Sequence, residues 1–283
     1  MTPEHQAGAD GWAVETSELR CGIGGRSVLD GIDLRIPLGS FVGVFGSNGA
    51  GKTTLFRSLL GLEPLQGGRL RLLGRDGVAA RTQVGYVAQR DPPGADSFLS
   101  VRSYVAAAWQ AERWGFGDAG RADAVAAALQ SMEVDDLADR PMDALSGGQR
   151  QRVRIAQALV NPVRMLLLDE PLANLDPQAQ QRILEVARRL CSERGLTVLM
   201  TAHDINPLLP HMDRVLYLAN GKGLLGRVDE VVNAPSLSAL YGLPMAVARD
   251  GGYVFIHPAG GFMAEGAAHC GHDHGAPESG EAE

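Results

Sequence analysis

The stretch that decides the fold is Phe41-Val42-Gly43-Val44-Phe45-Gly46-Ser47-Asn48-Gly49-Ala50-Gly51-Lys52-Thr53-Thr54. Its apolar first part favours a buried strand, the glycines favour a turn, and a helical stretch is predicted from Lys52. The turn fits the pattern of a phosphate-binding loop. Glycines let successive backbone N–H groups face an anion, and the positive end of the following helix points to the same place.

Two side chains of this loop supply further chemistry. Lys52 offers a compact positive charge to the β- and γ-phosphates of a nucleotide, and Thr53 offers a hydroxyl to Mg²⁺. A chance match is the alternative in a chain with 36 glycines. The strand before the loop and the helix after it favour a nucleotide site.

A pair of carboxylates follows a second apolar stretch, Met165 to Leu168, which is predicted to be a strand. Asp169 is placed to hold Mg²⁺, and Glu170 to polarise an attacking water as a general base. Two solvated acids at a strand end are the alternative, and the phosphate loop upstream favours the functional interpretation.

A second glycine-containing motif, Leu145-Ser146-Gly147-Gly148-Gln149, precedes a helix predicted from Arg150 to Val160. Ser146 is a suitable N-cap, and the glycines would expose the first helical amides to an anion. A capped helix start without further function is the alternative. A second anion site is redundant within one chain, but it makes sense if it covers the ATP of another copy.

These three motifs, with Leu145 to Gln149 between the phosphate loop and the carboxylate pair, resemble the ATPase subunits of ABC transporters over about residues 13 to 245. The resemblance implies an α/β fold: a P-loop NTPase (RecA-like) core with an antiparallel β subdomain and an inserted helical subdomain. The expected domains are a leader over 1–11, the ATPase domain over 12–258 with the helical insertion at about 91–161, and a His-rich, disordered tail over 259–283. Within the insertion, the alanine-rich sequence itself predicts helices from Val101 to Ala111 and from Arg121 to Met132.

The resemblance also assigns roles. Gln89 would reach Mg²⁺ and sense the permease, His203 would contact the γ-phosphate, and Asp176, in Ala173-Asn174-Leu175-Asp176, would belong to a loop that crosses the dimer. The implied cofactors are ATP and Mg²⁺. The implied partners are a second copy, bound head to tail around two ATP molecules, a separate membrane permease, and indirectly an extracytoplasmic metal-binding protein. The expected location is the cytoplasmic face of the membrane, as a peripheral subunit.

Composition agrees with a globular protein of 283 residues that is 45% hydrophobic and carries a net charge of −7. The acidic balance argues against a nucleic-acid partner. The three cysteines are far apart and indicate a reducing compartment. The apolar runs are too short to span a bilayer. Two other classes remain as alternatives: a soluble, non-transport ABC ATPase, and a metal-binding regulator with a vestigial nucleotide site.

The cargo is suggested by three segments that resemble the manganese/zinc/iron importer branch: 86–90, 100–102 and 237–244. The tail adds His269, Cys270, His272 and His274, which are suitable ligands for Zn²⁺. Either the tail senses or buffers the transported metal, or it binds metal only adventitiously.

Two departures from the family pattern are visible. The aromatic residue that usually stacks on adenine is missing from Arg20 to Arg26, so adenine would rest on Ile23 or Val28. Ser47 stands where proline is common.

Overall fold

The computed structural model describes residues 11–24, 26–77, 79–89, 98–109 and 120–259. Its strands are β1 (Trp12–Ile23), β2 (Arg26–Pro37), β3 (Phe41–Phe45), β4 (Leu65–Leu72), β5 (Arg75–Asp76), β6 (Val84–Val87), β7 (Met165–Leu168), β8 (Thr197–Thr201), β9 (Arg214–Ala219), β10 (Lys222–Gly226), β11 (Met245–Asp250) and β12 (Tyr253–Pro258). Its helices are α1 (Lys52–Leu59), α2 (Val101–Ala106), α3 (Arg121–Ser131), α4 (Gly147–Leu159), α5 (Pro177–Arg194), α6 (Val228–Val231) and α7 (Ala234–Tyr241).

The central sheet has six strands in the order β10-β9-β3-β8-β7-β6. The five strands from β9 to β6 are parallel to one another, and β10 is antiparallel to β9. Strands β3, β7 and β8 are buried at every position, which explains their continuous apolar sequences. This sheet is the frame on which the candidate site is built.

A second, antiparallel sheet has the order β2-β1-β4-β5 and lies beside α1. Its apolar face joins one core cluster with side chains from α1 and β3, including Leu29, Leu55 and Val44. The backbone N–H of Asp30 donates to the carbonyl of Gly221 over 2.8 Å, which ties β2 to the turn between β9 and β10. The smaller sheet therefore supports the loop that follows β3.

Helices α2, α3 and α4 lie between β6 and β7 in the chain and pack on one another. Their apolar side chains belong to the other large core cluster, which also holds the buried face of α5. In the part of the chain that the structure describes, no helix combines the length and the hydropathy needed to cross a membrane.

Most of the expected elements are present with shifted ends. Strands β3 and β7 have the predicted bounds, and Ser146 is the N-cap of α4, as predicted. Helix α4 begins at Gly147 rather than Arg150. Helix α2 ends at Ala106, although the sequence predicted helix to Ala111, because the amides of Ala108 and Trp109 bond three residues back and tighten the chain into a turn. The sequence did not anticipate β10, the β11–β12 hairpin, α6 or α7.

A buried hydroxyl links the two long strands of the smaller sheet and gives a test of this fold. Thr16 Oγ1 donates to the carbonyl of Ile32 and accepts from the N–H of Leu34, both over 2.8 Å. Replacing Thr16 with Val leaves both backbone groups unpaired, so we expect the free energy of unfolding to fall by about 2 kcal/mol.

Urea denaturation of the full chain measures this change. Thr82→Val is the control, since the described residues give Thr82 no side-chain hydrogen bond, and a change within about 0.5 kcal/mol is expected. Equal losses for both variants would contradict the role assigned to Thr16.

Candidate functional site

The parallel register of four neighbouring strands brings their carboxyl ends to one edge of the central sheet. Val87 pairs with Leu168, Leu168 pairs with Met200, and Val44 pairs with Thr201. The residues that follow these strand ends are the ones that the sequence singled out: Gln89 after β6, Asp169 and Glu170 after β7, His203 after β8, and the glycine-rich loop after β3. Ligands of open α/β sheets bind at this edge.

The loop after β3 requires glycine at two positions. Gly46 has φ 149°, and a Cβ there would lie 2.4 Å from the carbonyl oxygen of Leu218. Gly51 has φ 103°, and its Cβ would lie 2.5 Å from Leu29 Cδ2. The close approach of β9 and of β2 therefore excludes a side chain at these two positions, which leaves the backbone amides there free to face an anion.

Lys52, the first residue of α1, lies across this loop and is only 6% exposed. Its Nζ donates to the carbonyl of Gly46 over 2.7 Å and to that of Ser47 over 3.3 Å. Burial lowers the pKa of Lys52, and the carboxylates of Glu170 and Asp169 oppose that shift. A cation held in this place can interact strongly with phosphate oxygens because little water screens it.

Asp169 is 1% exposed, and two hydroxyl groups satisfy its carboxylate. Thr53 Oγ1, on α1, donates to Oδ2 over 2.9 Å, and Thr201 Oγ1, at the end of β8, donates to Oδ1 over 2.8 Å. Thr201 Oγ1 also accepts from the N–H of Glu170 over 2.7 Å. Carboxylate and hydroxyl oxygens are hard donors of the kind that Mg²⁺ prefers, so Thr53 and Asp169 fit a magnesium ion.

Two residues near Asp169 escaped the sequence reasoning. Thr201 could have been found only by knowing that β7 and β8 are neighbours, since it is an ordinary strand residue in the sequence. Tyr86, on β6, has its pKa raised to about 12, mainly by burial and then by the negative charge of Asp169. Thr201 thus donates to the buried carboxylate of Asp169, and Tyr86 lies near it.

The carboxylate of Glu170 contacts Gln89 and His203, two exposed side chains at this edge of the sheet. Gln89 Nε2 donates to Oε2 over 2.5 Å, and His203 Nε2 lies 2.9 Å from Oε1, as an ion pair when the imidazole is protonated. The backbone of Glu170 has φ 50°, an uncommon value for a residue with a side chain, which turns the carboxylate toward these partners. The three side chains therefore meet at one carboxylate, next to a cavity of about 220 Å³ that Glu170, Asn174 and His203 line.

The Ser146 motif forms a separate surface. Ser146 Oγ accepts from the N–H of Gln149 over 3.3 Å, and Gln149 Oε1 accepts from the N–H of Ser146 over 3.0 Å, so α4 begins with a complete capping box. A Cβ on Gly148 would lie 2.7 Å from Ala179 Cβ, so glycine allows α4 to approach α5 closely. A cavity of about 570 Å³ lies between the two helices, and Ser146, Gly148, Gln149 and Asp176 are among its lining residues.

Asp176 also has a local role, because its Oδ1 accepts from the N–H of Ala179 over 2.9 Å and caps α5. Of the described residues that line the 570 Å³ cavity, none belongs to the loop of residues 46–54. The structure thus brings Lys52, Asp169, Glu170, Gln89 and His203 to one edge and gives the Ser146 motif a surface of its own.

The sequence analysis also predicted metal ligands in the tail and two side chains that would contact adenine. His269, Cys270, His272 and His274 lie outside the described residues, and the described residues contain no cluster of His, Cys, Asp and Glu suited to a metal ion. Of the two residues suggested for adenine, the side chain of Ile23 is also outside them. Val28 is half-buried, and its Cγ1 lies 3.1 Å from where a Cβ of Gly51 would be, so it lies against the loop.

Comparisons with known proteins agree with this geometry. A family model described as ABC transporter matches residues 29–173. The chain is 33% identical over 227 residues to the manganese transport system ATP-binding protein MntB of Bacillus subtilis, covering 80% of this chain and 90% of the relative. It is 39% identical over 246 residues to the hemin import ATP-binding protein HmuV of Pseudomonas aeruginosa, covering 80% and 91%. Other relatives are named for zinc and for aliphatic sulfonates.

Among solved structures, the chain resembles cbiO1 of Clostridium perfringens, part of the ABC transporter complex cbiONQ. The TM-score is 0.71 and the identity 28%, with 81% of this chain and 94% of that chain covered. The predicted P-loop NTPase fold is therefore confirmed, with its parallel core and antiparallel sheet. The chain belongs to the ABC transporter family, as an ATP-binding subunit with ATPase activity.

Proposed function

We propose that this chain binds MgATP between two copies of itself, hydrolyses it, and so drives a separate membrane permease that imports a transition metal ion. The observation that carries the catalytic part is the Glu170 carboxylate, which contacts both Gln89 and His203 beside the buried Asp169. A carboxylate so placed, partly exposed and next to a magnesium site, can accept a proton from water.

The roles divide between the buried and the exposed side of the edge. On the buried side, the amides of residues 46–54 and the ammonium of Lys52 would hold the phosphates, while Thr53, Asp169 and Gln89 would hold Mg²⁺. When bound, Mg²⁺ neutralises part of the phosphate charge. On the exposed side, Glu170 would orient and deprotonate the attacking water. His203, whose side chain is 54% exposed, would donate a hydrogen bond toward the γ-phosphate.

The pairing of two copies is supported by the separation of the two anion-binding surfaces. The start of α4 lines a cavity to which the loop after β3 contributes no residue. Within one chain, the loop and the start of α4 would therefore not contact the same triphosphate. In a two-fold symmetric pair, each copy can lend its Ser146 motif to the nucleotide of the other. Closure of the pair would then move the permease.

A transition metal is the proposed cargo because the chain is similar, over most of its length, to subunits named for manganese and zinc transport. Hemin is the second candidate, since the HmuV relative is 39% identical over 80% of this chain, whereas the sulfonate-import relative of equal identity covers 70%. The peripheral location on the cytoplasmic face follows from the same proposal, because the permease would carry the membrane spans. The proposal does not depend on the His-rich tail.

The Glu170→Gln variant tests the catalytic step. The amide keeps the shape of the side chain but cannot accept the proton, so we expect the ATPase rate to fall about a thousandfold. ATP binding should be retained, because Lys52 and the loop are untouched. The measurement is steady-state phosphate release together with binding of a fluorescent ATP analogue.

The matched control is Glu193→Gln, an exposed glutamate on α5 that lines neither of the two cavities described above, and it should keep the wild-type rate. A Glu170→Gln variant that still turns over within about tenfold of wild type would refute the role of Glu170 as general base.

Mixing two inactive variants tests the composite site. Lys52→Ala removes the phosphate ligand, and Ser146→Asp keeps the helix cap while placing a negative charge against the nucleotide. Each variant alone should be inactive. A one-to-one mixture contains mixed dimers with one intact site, so we expect about a quarter of the wild-type ATPase rate. If Lys52 and Ser146 of the same chain formed one site, the mixture would show no ATPase activity. That result would contradict the two-copy proposal.

Uptake measurements test the cargo. In cells that lack this gene, we expect uptake of radioactive manganese or zinc to fall, and wild-type protein but not Glu170→Gln should restore it. Loss of hemin or alkanesulfonate uptake with metal uptake unchanged would replace the proposed cargo by that compound. A variant lacking residues 269–274 belongs in the same assay: normal metal uptake and zinc affinity would show that the tail binds metal only adventitiously.

A further inference from the structure

The side chain of Asn206 ties the β11–β12 hairpin to the loop that carries His203. Asn206 Nδ2 donates to the carbonyl of Val254 over 3.1 Å, and Oδ1 accepts from the N–H of Val254 over 2.7 Å. The need to accept from one backbone group and donate to the other fixes the orientation of the carboxamide. Asn206 thus pairs with β12 as a peptide unit of a neighbouring strand would.

A residue of the same loop, Asp204, also hydrogen-bonds to the Asn206 carboxamide. Asp204 Oδ1 accepts from Nδ2 of Asn206 over 2.8 Å and from its backbone N–H over 2.9 Å. Both Nδ2 hydrogens are therefore used, one on Asp204 and one on Val254, and Asp204 is the residue that follows His203. A shift of β12 along this contact would be transmitted to the turn that begins at His203.

In the described part of the chain, neither outer edge of the hairpin pairs with another strand, so the hairpin depends on such contacts. Val254 is 4% exposed and belongs to the same apolar cluster as Ile205, which is 5% exposed and lies between Asp204 and Asn206. A two-stranded hairpin is marginally stable alone. Among the described residues, its other polar side-chain contacts run to Ser238 of α7, to Asp229 of α6 and to Val232 after α6, not to the His203 loop.

We propose that Asn206 is a positioning residue that couples the β11–β12 hairpin to His203, so that the rate of ATP hydrolysis depends on the integrity of the hairpin. The proposal rests on the role given to His203 under the proposed function. Asn206 touches no reacting group. Its effect is to hold the loop in the arrangement in which His203 meets Glu170.

Two variants perturb this connection from opposite sides. Asn206→Asp keeps the size of the side chain but removes the Nδ2 donor group, and it places a second carboxylate next to that of Asp204. Its control is Asn220→Asp, because Asn220 Nδ2 donates to the carbonyls of Leu240 and Tyr241, away from the His203 loop. Gly252→Val strains the hairpin turn, where φ is 87°. Its control is Gly74→Val, at φ 77° in the β4–β5 turn; for both glycines an added Cβ meets nothing within 4 Å.

Steady-state kinetics on the purified full chain give the readout. We expect Asn206→Asp and Gly252→Val each to lower kcat about five- to tenfold, with KM for ATP within about twofold of wild type. The two control variants should keep kcat within about twofold of wild type. A general loss of folding would lower the active fraction of the controls as well, so circular dichroism of all four accompanies the assay.

Three outcomes would overturn the proposal: Asn206→Asp behaves like Asn220→Asp, Gly252→Val behaves like Gly74→Val, or KM rises as much as kcat falls. His203→Ala is assayed in parallel. If it retains full activity, the proposed function of His203 fails; if it is inactive while both test variants match their controls, only the coupling fails.

Hydrogen–deuterium exchange of the unmodified chain covers the case in which a variant does not fold. We expect nucleotide binding to change the exchange of residues 203–206 and of residues 252–256 together. A change in the first segment with none in the second would also overturn the coupling.

Discussion

The carboxylate of Asp169 is the group on which the rest of the site depends. It is 1% exposed, and a desolvated negative charge is costly unless every oxygen is paired. Its two hydroxyl partners come from different elements: Thr53 from the helix after β3 and Thr201 from the end of β8. This carboxylate, directly after β7, therefore holds the start of α1, the Glu170 backbone and the strand that leads to His203 in a single arrangement.

The side chains around this carboxylate differ in burial. Lys52, Asp169 and Thr201 are buried, whereas His203 and Gln89 are linked to the framework through loops and through Glu170. A site of this kind can keep the phosphate-holding groups fixed while the loops after β6 and β8 change position. The Asn206 contact with β12 connects the loop after β8 to the last strands that the structure describes.

The sequence predicted the parts that rest on local patterns. The glycine-rich turn after β3, the strands β3 and β7, and the cap at Ser146 depend on residues that are neighbours in the chain, and each has a clear local signature. Thr201 and Asn206 act through contacts 32 and 48 residues away, so their roles follow only from the strand order and from the docking of the hairpin. The short end of α2 was missed because the alanine-rich sequence favours helix beyond Ala106, while backbone bonds three residues back close the turn there.

The most direct test of the central claim is a crystal structure of the full chain with Mg²⁺ and a non-hydrolysable ATP analogue. The account predicts a triphosphate in the loop of residues 46–54, with Lys52 Nζ within hydrogen-bonding distance of its oxygens and a metal ion beside Thr53 and Asp169. Each triphosphate should also be covered by Ser146 of a second copy. A nucleotide bound elsewhere, or a loop whose phosphates leave Asp169 and Thr53 paired only with each other, would contradict it.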